Sequence, residues 1–543
     1  MAIGTAFRTM LADIKQYRRV YWLSIVASFG GMLFGWDTGL IGGVLTMKAF
    51  QKSFDLDSKS KDFKNLQGNI VSVLQAGCFF GAGASFFISD RFGRRKALFV
   101  ACFFFLTGSI IQTTSGLGTT SLGQLYAGRV IGGFGVGIVS AVVPTYIGEN
   151  ANKEIRGRCI GMMQLFNVTG IMLSYFVNYG VNQTIPGDQP KNWRIPFGIQ
   201  MLPGTLLLLG LLTTKETPRW LVEKNRIEEA RHILAHVRAR PVIDDSVTLE
   251  LQEIISDFHG KQRLTFLQQM KAITSSKQIF YPVTMGLILQ FWQQWSGTNS
   301  INYYSPQIFE SIGLTSTSAG LFATGIYGVV KVTMTALCLA LAIEQLGRKW
   351  CLIIGGLGQC FAMLYIGGHL ATSPTQVSGA PLSGATYFAI VCVYLYVAFY
   401  SLAWGHIPYI LTSECSPNHV RSLVLALALM IQWLFNFVIA KITPIMLANI
   451  TYGTFLVFGC SCFLMACYAV VFVPETKNVP LESLYLLFRG DIVKGAIRDL
   501  RPKNQRARTL RDWHVGQEAG TEEGASSGYE ESVGKDVQRK ESH

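Results

Sequence analysis

Apolar blocks of about 20 residues or more recur along this chain, the length a helix needs to span roughly 30 Å of bilayer hydrocarbon. Polar or basic stretches separate them. Half of the 543 residues are hydrophobic and only 15% are charged, too little charge for a soluble protein of this length. The first block, from Trp22, follows a basic start (Arg8, Lys15, Arg18, Arg19) that is too long and too polar for a cleaved signal peptide. The pattern predicts an integral membrane protein, with the lipid bilayer as its first partner.

Twelve spans are predicted, at about 22–46, 67–89, 97–115, 121–146, 158–180, 195–213, 278–302, 314–343, 350–371, 384–412, 420–447 and 451–473. Even parity places both termini on one side, which the Arg/Lys clusters at Arg91–Lys96, Lys153–Arg158, 214–277, Arg348–Lys349 and Arg421 mark as cytoplasmic. Topology thus accounts for the net charge of +14 without a nucleic acid. The expected organisation is a cytoplasmic N-terminus (1–21), a six-helix bundle (22–213), a linker with short helices (214–277), a second six-helix bundle (278–473) and a largely disordered tail (474–543). The halves echo each other. DRFGRRK (Asp90–Lys96) follows span two and EQLGRK (Glu344–Lys349) follows span eight; Glu149 and Arg156 have the same spacing as Glu414 and Arg421. Carboxylates matched in this way exceed what topology needs and suggest two parallel repeats with a site between them. A network of Arg94, Glu149, Arg156, Arg348, Glu414 and Arg421 could clamp the cytoplasmic ends of the bundles together when the outside is open, and breaking it would let the cavity open inward.

One span carries polar groups that lipid cannot satisfy. FWQQWSGTNSINYYSP (Phe291–Pro306) sets Gln293, Gln294, Asn299 and Asn302 among Trp292, Trp295, Tyr303 and Tyr304. Amides offer paired donors and acceptors to vicinal hydroxyls, and aromatic faces cover the C–H surface of a sugar ring. A single amide would read as helix–helix glue; four, beside a Gly, favour a binding site. Asp37 and Arg129 are also charged within spans, and pairing with each other is their simplest solution. The run GGFGVG lacks a preceding strand, so its glycines are assigned to close helix packing and not to a nucleotide loop. The eleven cysteines show no metal-ligand spacing, and no nucleophile–base arrangement or cofactor motif supports an enzyme.

In these motifs the sequence resembles the sugar porter family of the major facilitator superfamily, particularly fungal monosaccharide porters and their quinate-permease branch. The resemblance rests on FGWDTG (Phe34–Gly39), DRFGRRK, GRVIGGFGVG (Gly128–Gly137), PTYIGE (Pro144–Glu149), RGR (Arg156–Arg158), ETPRWL (Glu216–Leu221), QQWSGTNSINYYSP and PETK (Pro474–Lys477). It implies an all-α membrane protein of the major facilitator fold, with twelve transmembrane helices in two pseudo-symmetric six-helix bundles. It also implies sugar contacts at Gln164, Gln293, Gln294, Asn299, Trp433 and Asn436, with Tyr303 beside them and Tyr409 where many members have Trp. Asp37 and Arg129 match a proton switch of symporters; a structural ion pair is the competing reading, because facilitative porters carry the same motif. Two departures bear on selectivity. Lys331, near where many members place an Asn, is either a counter-ion for a carboxylate substrate, one half of an internal ion pair, or a snorkelling side chain. His406 either contacts substrate or is a packed, hydrogen-bonded residue, the second being favoured.

The reading is a plasma-membrane importer of a small hydroxylated substrate (monosaccharide, polyol or sugar acid), with the proton as coupling ion. A facilitative uniporter, a non-transporting nutrient sensor and an efflux transporter are the alternatives. Sequons at Asn182 and Asn449 face the expected outside and are candidate glycosylation sites.

Overall fold

The computed structural model describes residues 16–56, 62–118, 120–152, 155–258, 265–314, 316–339, 346–372, 382–416, 420–477, 487–488 and 492–500. The expected disordered tail beyond Arg501, most of the N-terminal segment and Glu344 of the second repeat motif lie outside them. The first half comprises α1 (Arg18–Val44), α2 (Lys48–Ser53), α3 (Phe63–Phe92), α4 (Arg94–Thr114), α5 (Gly123–Asn150), α6 (Arg156–Thr184), α7 (Lys191–Ile199) and α8 (Met201–Thr213). Four short helices follow: α9 (Pro218–Glu223), α10 (Ile227–Arg238), α11 (Asp245–Phe258) and α12 (Phe266–Ser275). The second half holds α13 (Lys277–Trp295), α14 (Thr298–Ile312), α15 (Thr317–Leu337), α16 (Arg348–Thr372), α17 (Gly384–Leu402), α18 (Ile407–Cys415), α19 (Arg421–Asn449), α20 (Tyr452–Phe472) and α21 (Ile492–Arg498).

Eleven segments, counting α7–α8 and α17–α18 as one each, are long and apolar enough to cross a membrane among the described residues. The α13–α14 pair makes the remaining pass, and here the structure corrects the expected continuous span at 278–302. The helix breaks at Gly297, which takes a left-handed conformation (φ 87°), and resumes as far as Ile312. A Cβ at Gly297 would approach the Phe458 ring to 2.7 Å, so the turn needs glycine both for its backbone and for its packing. The perimeter is apolar and exposed, with Phe80, Phe103, Leu212 and Phe361 each more than half accessible. Such a belt is stable only against lipid.

Glycines let the helices approach backbone to backbone. On α1, a Cβ at Gly31 or Gly35 would fall 2.4 or 1.9 Å from the Met163 or Asn167 carbonyl of α6. On α5, Cβ atoms at Gly133 and Gly137 would meet the Leu74 and Cys78 carbonyls of α3 at 2.2 Å. The GGFGVG run is therefore a packing surface, as small residues are in membrane helices generally. Across the halves, α3 packs on α19, α6 on α15, and α1 on α14.

This packing predicts a sharp contrast between two glycine substitutions. Gly133→Ala has to displace backbone and should cost at least about 1–3 kcal/mol. Gly180→Ala, with nothing within 4 Å of its Cβ position, should leave stability unchanged or slightly raised. Thermal unfolding midpoints in one detergent check both.

Candidate substrate site

At the break between α13 and α14 the carboxamides form one directed chain of hydrogen bonds. Gln293 Nε2 donates to the Trp404 carbonyl (2.8 Å), and Gln294 Nε2 donates to Gln293 Oε1 (3.2 Å). Asn299 Nδ2 donates to Gln294 Oε1 (2.6 Å), Asn302 Nδ2 to Asn299 Oδ1 (3.0 Å), and Lys331 Nζ to Asn302 Oδ1 (2.9 Å). Gln293 Nε2 also reaches the Gly405 carbonyl (3.4 Å), while Gln294, Asn299 and Asn302 each use one N–H and their oxygen, which leaves a second N–H for a ligand. Because every link points the same way, each bond polarises the next. Gln293, Gln294 and Asn302 are buried, and Asn299 is half-buried.

The first half meets this chain directly. The Tyr175 hydroxyl of α6 donates to the Asn302 carbonyl (2.9 Å). The Tyr303 hydroxyl lies between Gln75 of α3 (2.8 Å) and Asn436 Oδ1 of α19 (3.2 Å). Trp433 is fully buried against α1 and α5, its indole N–H donating to Ser140 Oγ (3.2 Å) and its ring 5.0 Å from Phe34. The Tyr409 hydroxyl donates to Gln432 Oε1 (2.5 Å). Gln164 is half-buried on α6 and makes no side-chain hydrogen bond with another described residue. The structure thus links Gln293, Gln294 and Asn299 in one hydrogen-bonded chain and Tyr303 with Asn436 in a second group, while Tyr409 and Trp433 bond to partners of their own.

Four buried polar residues are placed differently. Asp37 Oδ2 and Arg129 Nη2 approach to 3.7 Å in full burial, yet neither side chain makes a hydrogen bond among the described residues. They are held by charge alone. Lys331 is buried, so it does not snorkel, and no ion pair among the described residues includes it. Its partners are Asn302 and the faces of Tyr327 and Tyr400, with Nζ 5.9 and 5.8 Å from the ring centroids. His406 is buried, its Nε2 3.2 Å from Cys338 Sγ, and it directly follows Gly405, whose carbonyl accepts from Gln293.

At the end bearing the α9–α12 linker, charges pair within each half. Arg94 contacts Glu149 (2.9 Å) and Arg348 contacts Glu414 (3.1 Å). The expected clamp across the halves is not formed among the described residues in this conformation. Its carboxylates are already engaged, and Arg156 faces like charges at Arg219 and Arg421. Arg421 donates instead to the Ser416 carbonyl (3.2 Å). At the opposite end the halves are in contact: a Cβ at Gly42 would lie 2.6 Å from the Tyr303 carbonyl, and Lys441 Nζ bonds Asn65 and Asn69. Of the sequon residues, Asn182 lies inside the last turn of α6 and donates to Ser318 Oγ (3.3 Å), whereas Asn449 is exposed at the end of α19.

A family model described as "Sugar (and other) transporter" matches residues 23–488. The chain belongs to the sugar transporter family. It is 37% identical over 498 residues to the "Quinate permease" of Emericella nidulans, covering 90% of this chain and 92% of that protein. A "Probable quinate permease" of Aspergillus fumigatus is 38% identical over 482 residues, 87% of this chain and 88% of the other. Among solved structures, the proton:xylose symporter XylE bound to 6-bromo-6-deoxy-D-glucose aligns with a TM-score of 0.74 and 29% identity, over 87% of this chain and 100% of that one. A partially occluded inward-open form of XylE from E. coli gives 0.69 and 28%, over 84% of this chain and 100% of that one. The sugar transporter fold here is the all-α major facilitator fold in a multi-pass membrane protein, and its relatives are transporters and permeases, not enzymes.

Within this family member the two halves repeat a device whose residues the sequence motifs contain but whose role they do not disclose. Gly93 (φ 97°) and Gly347 (φ 86°) each open a helix, α4 and α16. Glu216 of ETPRWL accepts from the backbone N–H of Arg94 (3.0 Å) and Arg95 (3.1 Å). Glu475 of PETK does the same for Arg348 (3.0 Å) and Lys349 (3.2 Å). Both carboxylates satisfy orphan helix N–H groups and complement the helix dipole. Gln75 escaped assignment as a site residue, since contact across the halves is invisible to periodicity.

Glu216→Gln and Glu475→Gln should each lower stability by about 1–3 kcal/mol, because an amide N–H would then confront backbone N–H donors. Unfolding midpoints of the purified variants measure this, and the near-equality of the two effects tests the repeat.

Proposed function

We propose that this protein imports a hydroxylated ring (a monosaccharide, a related polyol or a sugar acid) across the plasma membrane by alternating access, with a proton as coupling ion. The observation that carries the reading is the amide chain at the α13–α14 break, seated against α1, α3 and α6 of the other half. Discontinuous helices that line a site at the interface of two repeats are how transporters expose backbone and polar groups to cargo. Gln293, Gln294, Asn299 and Asn436 would bind ring hydroxyls through their spare N–H and oxygen positions. Gln164 would complete the site from α6, and Tyr303, Tyr409 and Trp433 would shape its walls.

Asp37 and Arg129 supply the coupling. Their attraction lacks a hydrogen bond among the described residues, so neutralising the carboxylate removes the whole of it. Asp37 sits little more than a turn from Gly42, where α1 touches the Tyr303 carbonyl of α14. Protonation would therefore loosen α1 from α5 and shift that helix against α14. The pairs Arg94–Glu149 and Arg348–Glu414 hold the cytoplasmic ends of each half as rigid bodies, while Arg156, Arg219 and Arg421 disfavour closure there. Both termini are assigned to the cytoplasm by the basic loops.

Uptake of labelled glucose, xylose, quinate and galacturonate in a transporter-null yeast tests this function. Wild-type protein should concentrate at least one of them, and a protonophore should abolish accumulation. Accumulation that survives the protonophore would refute the coupling, and downhill uptake alone would leave a facilitative uniporter. Asp37→Asn should fall to equilibration without accumulation. Gln294→Ala should weaken substrate binding about 5- to 150-fold, the equivalent of one to two lost hydrogen bonds.

A further inference from the structure

We propose that Lys331, with Thr298, Tyr327 and Tyr400 around it, forms a carboxylate subsite at the end of the amide chain, so that the cargo is a hydroxylated ring bearing an acid group. The inference rests on the transport reading above and names the group that selects within its substrate class.

The chain does not need a cation for its own sake. Asn302 Oδ1 already accepts from the Tyr327 hydroxyl at 3.1 Å, and that neutral donor would orient Asn302 and everything beyond it. Lys331 adds a second donor to the same oxygen at 2.9 Å and spends one of three N–H groups doing so. Its other two meet no hydrogen-bond acceptor among the described residues, and two tyrosine faces near 6 Å offset only part of the cost of burying an ammonium. A buried lysine is ordinarily matched by a carboxylate, and none of the described residues supplies one here. An anionic ligand would.

The surroundings fit such a ligand. Thr298 stands one helical turn before Asn302 on α14, its buried hydroxyl turned toward the hydroxyls of Tyr327 and Tyr400. It adds a neutral hydroxyl to the two tyrosines that flank the ammonium. One turn before Lys331 on α15, Gly328 lies close enough to α6 that a Cβ would reach the Met172 Cα at 2.8 Å. The subsite therefore lies at the meeting of the halves, where a bound acid would be enclosed by both. A carboxylate on Lys331 and Thr298 would project the ring along Asn302, Asn299 and Gln294, whose spare N–H groups face vicinal hydroxyls. Charge-assisted hydrogen bonds to the acid, made in a dry interior, would discriminate strongly against neutral isosteres.

Binding of quinate, quinamide, galacturonate and galactose to the purified full-length protein, with uptake in the transporter-null yeast, tests the subsite. Wild-type protein should prefer each acid over its neutral counterpart by about tenfold or more. Lys331→Met should erase that preference by weakening the acids at least about tenfold more than the neutral compounds, since the Tyr327 hydroxyl still bonds Asn302. Lys331→Arg should retain part of it. An unchanged acid preference in Lys331→Met, or a wild-type protein that binds neutral and acidic rings alike, would overturn the subsite and leave the transport reading intact. So would equal loss of acids and neutral rings in a Lys331→Met protein of wild-type melting temperature, which would make Lys331 an anchor for the amides. Wild-type protein at the cell surface that takes up none of the four would overturn the transport reading, and the subsite with it.

Discussion

Hydrocarbon offers no hydrogen-bond partner, and each polar group carried into it must find one inside the protein or face a water-filled cavity. Most of what distinguishes this structure follows from that requirement. Four carboxamides in one apolar segment can be buried only if they bond to one another, and they do so as a directed chain from Lys331 to the Trp404 carbonyl. The chain in turn requires the helix to break at Gly297, because a continuous helix would distribute those side chains around its circumference. The break frees backbone groups that must themselves be satisfied, and Ser296 helps: its carbonyl accepts from the Tyr396 hydroxyl at 2.9 Å.

The same requirement explains the contrast between the two kinds of charge. At the linker end, Arg94, Glu149, Arg348 and Glu414 are paired, and Glu216 and Glu475 are consumed in capping helices. These groups have ionic or hydrogen-bonded partners within their own half. Within the bundles, Asp37, Arg129 and Lys331 are less completely satisfied among the described residues. A buried charge kept short of partners costs stability, and such groups persist where a proton or a ligand completes them.

Much of the fold was legible because it depends on period and length. Apolar blocks located the membrane helices to within a few residues, and the linker expected to hold short helices carries α9–α12. The break in span seven was missed, although the Ser-Gly pair inside QQWSGTN is a turn signal; hydropathy averaged over a window conceals a local change of backbone. The charges at the linker end show a different limit. Spacing along a helix does not tell which Arg a Glu will choose, and in this conformation the pairs Arg94–Glu149 and Arg348–Glu414 lie within each half.

What the chain itself dictated is its solvent, its helices, its twofold repetition and the types of group near the site, because each is a local property of composition and spacing. Partnership had to wait for the folded molecule. That Tyr303 stands between Gln75 and Asn436, that Glu216 and Glu475 cap matched helices, and that Lys331 lies beside Asn302 and two tyrosines with no carboxylate described near it all depend on residues far apart in sequence. Helix packing through glycines brings them together. It is packing at that scale, set by the close approach of backbones, that turns a set of suitable side chains into a site with a direction and a charge.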